Sequence, residues 1–380
     1  MPQSERRGKI TRLGVFAWAL LVVGVGATSS GQNPQQLLRV LQEQEVPAEP
    51  SPALTVRWAS DETVYLARAH HGVAEVALDE NLTRRRQPIP DRETLGIRFA
   101  GVERLAVSPE YIAISSLTAD FAFRPRLASP AGTYKLTKLR LWSVYALDLH
   151  GNRLLMLGDP TPRASASWSD TSAGIAWIGP ISDHPERDLQ PFLADATGAP
   201  PESLFHCSTL GLGAARFLAD GSYVVVPGFQ EGVFVYSPAG VLLHSWKNAA
   251  VGLDAPDCAS MERKQEDLFA GSYKARFEFL NQHRVLEEIL PLEAGPGLLI
   301  RSVSGDAVHW TLTVLHGDQV TSYPVPVTGS LPFDRLRADV RGNRIVFLRT
   351  WFGFDRGQGL RPGRLYVAEL APTAMGNLGA

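Results

Sequence analysis

Imidazole and thiol groups are the side chains most able to hold a metal or attack a substrate, and the chain carries nine histidines and two cysteines. His70, His71, His184 and His206 are the weak candidates for a metal centre, with Asp183 and Glu186 flanking His184. Such a centre needs three or four converging ligands, and no HExxH or other ligand spacing ties these together. The sequence therefore points to no metal and no cofactor. His150, His244 and His316 fall in or beside strand turns, where a structural role is expected. Nucleophile motifs are also missing: there is no G-x-S-x-G elbow and no catalytic-cysteine context. "LGLGAAR" (210–216) leads into a strand and lacks the helix that a dinucleotide loop requires. Carboxylate pairs assembled from distant loops stay open.

A second kind of chemistry is recognition. Phe121, Phe123, Arg124 and Arg126 form one cluster, and Trp351, Phe352, Phe354, Arg356 and Arg361 another. Rings bury large areas and guanidinium forks grip carboxylates, so these types dominate binding hot spots. Arg124, Arg126, Trp351, Phe354, Arg356 and Arg361 are thus the candidate residues for an acidic or ring-bearing ligand. The alternative is that the rings pack inside the fold and the arginines pair with nearby carboxylates.

The elements that must position these residues are short strands. In "FLADGSYVVVPGFQEGVFVYSPAGVLLHSW" (Phe217–Trp246), four apolar bursts are separated by turn signals, the first of them Asp-Gly. A four-stranded meander of this size cannot bury both faces alone and must stack on others. Similar units start near Leu54, Val102, Ala164, Gly213, Leu286 and Phe333. "ALDLHGNRLLML" (146–157) reads as a third-to-fourth-strand turn and "RADVRGNRIVFLR" (337–349) as a first-to-second one. Repetition of this kind predicts an all-β chain, a β-propeller of six four-stranded blades. The pattern resembles the NHL-type propellers of secreted bacterial proteins over about residues 54–371, without the Asn-His-Leu signature. It is a resemblance of architecture and implies no catalytic residue.

Two places fit this pattern poorly. The third unit dissolves after "AGIAWIGP", and the sixth ends after three strands at "RLYVAEL". A strand from the N-terminus could complete the ring, but the segment "EVPAEPSPA" holds three prolines and suits an edge at most. Residues 34–44, with Leu37, Leu38 and Leu41, read as a short external helix within an N-terminal segment and linker, 28–53. The propeller is followed by a tail, 372–380. The segments 118–135, 179–190 and 351–363 read as second-to-third-strand loops. With the partly helical insertion at 247–282, between blades four and five, they would share one face, and long loops on a rigid scaffold are where function usually sits.

Compartment and class follow from the ends and the composition. Arg6, Arg7, Lys9 and Arg12 precede the apolar run Leu13–Ala27, with Val25 and Ala27 at a small-residue cleavage site, which reads as a signal peptide over 1–27. An uncleaved anchor is the alternative and the sole route to a membrane. Hydrophobic residues at 44% and charged ones at 20% support a large core, and a formal net charge of −2 excludes a global basic field for nucleic acid. In an oxidising compartment Cys207 and Cys258 read as a disulfide, worth roughly 4 kcal/mol in the chain-entropy model. The functional reading is a secreted or periplasmic binding module for a peptide, glycan or protein. A propeller enzyme (hydrolase, lyase or quinone-type dehydrogenase) with a site at the channel mouth is the alternative.

Overall fold

The computed structural model describes residues 37–48, 51–68, 72–89, 102–116, 120–123, 133–135, 141–160, 176–182, 188–192, 213–227, 232–254, 278, 280–330, 333–351 and 361–371. Their strands form six four-stranded antiparallel sheets. The first holds β2 (Ala53–Trp58), β3 (Thr63–Arg68), β4 (Val73–Ala77) and β5 (Arg84–Ile89). The second holds β6 (Val102–Val107), β7 (Ile112–Ser116), β8 (Asp120–Phe123) and β9 (Thr133–Lys135). In the third are β10 (Leu141–His150), β11 (Arg153–Pro160), β12 (Ala176–Pro180) and β13 (Gln190–Phe192). The fourth comprises β14 (Ala214–Phe217), β15 (Tyr223–Val226), β16 (Val233–Tyr236) and β17 (Leu242–Trp246). The fifth comprises β18 (Val285–Leu292), β19 (Gly295–Ser304), β20 (Ala307–His316) and β21 (Gln319–Gly329). In the sixth, β22 (Asp334–Arg341), β23 (Arg344–Trp351) and β24 (Gly363–Leu370) are joined by β1 (Leu38–Val46) from the start of the chain.

The apolar side chains are buried between sheets, in clusters that each draw on two successive ones. Tyr65 meets Ile112 between the first and second, and Ala113 meets Met156 between the second and third. Leu155 and Val225 share the next cluster, Val224 and Leu298 the one after, and Leu312 and Phe347 the fifth. Val64 and Val367 then share a cluster between the first sheet and the sixth. The first strand of each sheet lies innermost, against the first strands of its neighbours. This is a β-propeller arrangement, in which radial stacking replaces a single central core. It also explains the near-continuous apolar runs: β14, β15 and β16 are buried along their whole length because both faces of the sheet meet a neighbour, whereas the outermost β17 is largely exposed.

Tight hairpins keep the meanders compact. Gly151 and Gly342, at φ 59° and 57°, open the two-residue turns of the third and sixth sheets, a conformation with little cost only for glycine.

Several sequence expectations are corrected. Residues 38–46 form a strand and not the helix expected over 34–44. β1 exposes alternate residues, and Leu41, which the helix would have buried beside Leu37, is 48% exposed. What decides the conformation is the open edge of β24, whose unpaired groups β1 satisfies from Leu38↔Leu370 to Val46↔Gly363. The closing strand thus comes from residues before the proline-rich segment. The third sheet begins at Leu141 and not near Ala164, so "ALDLHGNRLLML" is a first-to-second-strand turn. Accordingly 118–135 and 179–190 are not second-to-third loops, since the chain between β8 and β9, and between β12 and β13, joins third strands to fourth. Of the insertion at 247–282, α1 (Asn248–Val251) is one helical turn closed by Gly252, and residues 255–277 lie outside the described ones. Arg84–Arg86 form an exposed outer strand, where Arg86 pairs with Glu75.

Candidate functional site

Each of the six innermost strands sends a charged residue toward the axis: Arg57, Arg104, Asp148, Arg216, Glu288 and Asp339. Around the axis they form a network. Arg57 Nη2 lies 3.3 Å from Glu288 Oε1, which joins the first sheet to the fifth. Arg216 pairs with Asp148 at 3.4 Å and with Asp339. The Arg57–Glu288 and Arg216–Asp339 pairs connect sheets that are not neighbours, so they span the axis. Burying charges is costly unless partners and hydrogen bonds replace water, and most of these requirements are met. Arg57 Nη1 donates to the Ala338 carbonyl at 2.9 Å, and the backbone N–H groups of Phe217 and Trp58 donate to Asp148 (2.7 Å) and Asp339 (2.8 Å). Arg57 Nε and Arg216 Nη1 are buried without a hydrogen-bond acceptor.

The last two contacts belong to a device that occurs twice. Asp148 receives the Phe217 N–H while Arg153 stacks over the Phe217 ring at 5.5 Å, and Asp339 receives the Trp58 N–H while Arg344 stacks over Trp58 at 5.1 Å. The two interfaces lie three sheets apart. Their sequence signal is the pair "DLHGNR" (148–153) and "DVRGNR" (339–344), together with "RW" (57–58) and "RF" (216–217). These repeats mark four of the six axial charges in the sequence, outside any metal or nucleophile motif.

Above this network the axis opens into a pocket at the end where the inner strands begin, lined by Arg57, Arg104, Glu287, Glu288, Arg335 and Arg337. About 20 Å³ is reachable by the centre of a water-sized molecule, room for one or two waters or the oxygens of one small group. β2, β6, β10 and β18 all carry bulges near this end, and such irregularities re-aim side chains. Glu287 is fully enclosed, and its two oxygens share the single Nε–H of Arg335, at 2.8 and 2.7 Å, with Arg301 3.6 Å away. Burial alone would push the Glu288 carboxyl up, but Arg57, Arg337, Arg216 and Arg104 together outweigh it and hold it below the usual range. Burial pushes the Asp148 carboxyl up, against the pull of Arg216.

The direction for Glu288 yields a prediction. A carboxyl whose folded pKa lies below the unfolded 4.5 contributes stability that is fully present above pH 4.5 and is lost as pH falls through the folded value. Glu288→Gln is expected to cost about 3 kcal/mol near pH 7 by stranding Arg57, with the deficit shrinking on acidification. Urea unfolding of both proteins at several pH values checks this; a deficit independent of pH would refute it.

His70, His71, His184, His206, Cys207, Cys258, Arg124, Arg126, Phe354 and Arg356 lie outside the described residues. Trp351 ends β23, and Arg361 is half-buried two residues before β24. Phe123 and Trp351 stand at opposite ends of their sheets. Phe123 and Thr133 pair at the end of their sheet that carries the β6–β7 turn, whereas the segment after Trp351 leaves from the end where β22 begins. His283 faces Asp254 at 3.9 Å, and the His150 ring contacts Phe217, His316 Nδ1–H donates to the Ala294 carbonyl at 2.8 Å, and the His244 ring stacks on Trp246. Among the described residues no group of histidine, cysteine and carboxylate side chains could hold a metal ion, and no helix is long and apolar enough to cross a membrane.

No family model matches the chain, and no curated protein matches it. Solved structures with a similar arrangement include a DUF4221 family member from Bacteroides vulgatus, at 8% identity and TM-score 0.49 over 88% of this chain and 98% of that one. Another is virginiamycin B lyase from Staphylococcus aureus, at 12% identity and TM-score 0.42 over 88% and 100%. A third is the WD40 β-propeller domain of Doa1, at 9% identity and TM-score 0.43 over 89% and 98%. At such identities the activities of those proteins do not carry over, and this chain is described by its β-propeller arrangement alone.

Proposed function

We propose that the chain is an exported, six-bladed propeller of the NHL type that acts as a ligand-binding module, with the axial pocket as its site. The cycle of six inter-sheet clusters, ending on one shared by the sixth and first sheets, supports the blade count. Export rests on the basic, apolar and small residues of positions 1–27. The observation that carries the binding role is the convergence of charged side chains from every inner strand on one pocket, since a ligand site is a concavity with a few convergent polar groups. A peptide, glycan or protein surface would place a single polar group in it and rest the remainder on the rim. The test uses mature protein from the extracytoplasmic fraction, expected to begin at Thr28. Sugars, peptides and small acids are screened by thermal shift, and the hits are mapped by hydrogen exchange. Slowed exchange at 102–107, 213–217 and 285–288 is expected; ligands that protect only other strands would refute the axial site.

A further inference from the structure

The axial charges do not cancel evenly, and the imbalance sits at one residue. Across the six inner strands, Arg57, Arg104 and Arg216 are matched in number by Asp148, Glu288 and Asp339. Arg335 has Glu287 as its carboxylate partner, both oxygens sharing its Nε–H. Arg337, which also lines the pocket, donates Nη1 to the Glu287 backbone carbonyl at 3.1 Å, and no described carboxylate comes within ion-pair distance of it. A guanidinium presents five N–H donors and keeps its proton in proteins, so most of the Arg337 fork is unfilled by protein acceptors. Arg57 Nε, a buried donor without an acceptor, belongs to a second residue lining the same pocket.

Resting on the axial-site reading above, we propose that Arg337, with Arg104 and Arg335 beside it, binds the terminal carboxylate or phosphate group of the ligand. The local field fits that occupant. Burial, followed by repulsion from Arg104 and Arg335, lowers the Arg337 pKa to about 9, and these outweigh the attraction of Glu288 and Glu287. An oxyanion at the fork relieves the repulsion from Arg104 and Arg335. A bidentate acceptor also matches the planar fork. The space at the axis admits the oxygens of one small group, which suits a single charged terminus. Glu287 and Glu288 in the wall disfavour a polyanion, so a single charged terminus is preferred over a nucleic-acid backbone.

The test titrates the full mature chain with acetate, succinate and inorganic phosphate by calorimetry at low salt. Saturable binding of at least one is expected. Arg337→Gln should weaken it by about tenfold to hundredfold, as loss of charge-assisted hydrogen bonds does, and Arg337→Lys should fall between. Without anion, Arg337→Gln should unfold at no lower temperature than the wild type, because it removes a repelled charge; this separates loss of the site from loss of the fold. Carboxylate preference over phosphate, or the reverse, identifies the terminal group. No saturable binding of any of the three, or equal affinity in Arg337→Gln, overturns the proposal. In that event a neutral ligand that still protects 102–107 and 285–288 from exchange leaves the axial-site reading standing, so the two can fail separately.

Discussion

Arg216→Ala is expected to lower the unfolding free energy by about 3–5 kcal/mol near pH 7, because it leaves two buried carboxylates without their cation. Arg216 is buried and bridges Asp148 and Asp339, which come from different sheets. Asp148 already has a raised pKa from burial with Arg216 in place, and removing the guanidinium raises it further. Between the unfolded value of 3.8 and the raised folded one, the folded state holds more protons, so the Asp148 contribution falls as pH rises through that window. The deficit of Arg216→Ala should consequently grow from acid toward neutral pH. Both carboxylates also accept backbone N–H groups, from Phe217 and Trp58, and an asparagine oxygen can keep these bonds. Combining Arg216→Met with Asp148→Asn and Asp339→Asn should therefore recover most of the loss, since the uncharged network leaves no stranded ion. Urea unfolding at pH 4 to 8 reads all three proteins. A loss below about 1 kcal/mol for Arg216→Ala, in the range of exposed pairs, would mean that water reaches the axis and the network is solvated.

Deleting the chain before Pro47 should have an effect of comparable or larger size. It removes β1, whose Leu38 and Val46 are fully buried, and also Leu37 at 3% exposure. At about 1.5–3 kcal/mol for each buried side chain, the loss is about 5 kcal/mol or more, against total stabilities of about 5–15 kcal/mol. The edge of β24 would also be bared, an invitation to pair with other chains. Low soluble yield and a shifted urea midpoint are expected. Leu41→Ser is the matched control: at 48% exposure on β1 it should change stability by less than about 0.5 kcal/mol, whereas a buried helical leucine would cost about 2–5 kcal/mol. A truncated chain with the wild-type midpoint would show that β1 does not close the sixth sheet.

Much of the architecture could be read from local pattern. Apolar bursts of four to six residues with Gly-containing breaks identify strands wherever the turn is short, as at Asp220-Gly221 and Gly342-Asn343, because turn geometry and pleat are properties of a few neighbouring residues. Five of the six sheets begin within about two residues of the positions expected, and the sixth sheet does end after three strands of its own. The third sheet was displaced because its first two strands, Leu141–His150 and Arg153–Pro160, look the same whether they open one meander or end another. Only pairing tells these apart, and pairing between strands is not local. The start of the third sheet in turn decides that the chain between β8 and β9, and between β12 and β13, joins third strands to fourth.

The N-terminal strand and the axial site are decisions of tertiary structure for the same reason. In residues 37–46 a helical stripe of Leu37, Leu38 and Leu41 and a period-two strand pattern are both present, and it is the waiting edge of β24, more than three hundred positions along the chain, that selects the strand. Arg57, Arg216, Glu288 and Asp339 read singly as polar residues on strands. They become one network because radial closure carries the inner strand of every sheet to one axis, where low dielectric makes each charge answer to the others. Sequence alone determined the strand content, the repeat and the tight turns, since these depend on neighbours along the chain. Which strand closes the ring, which loops share a face and which charge is left over at Arg337 were decided only when distant strands met.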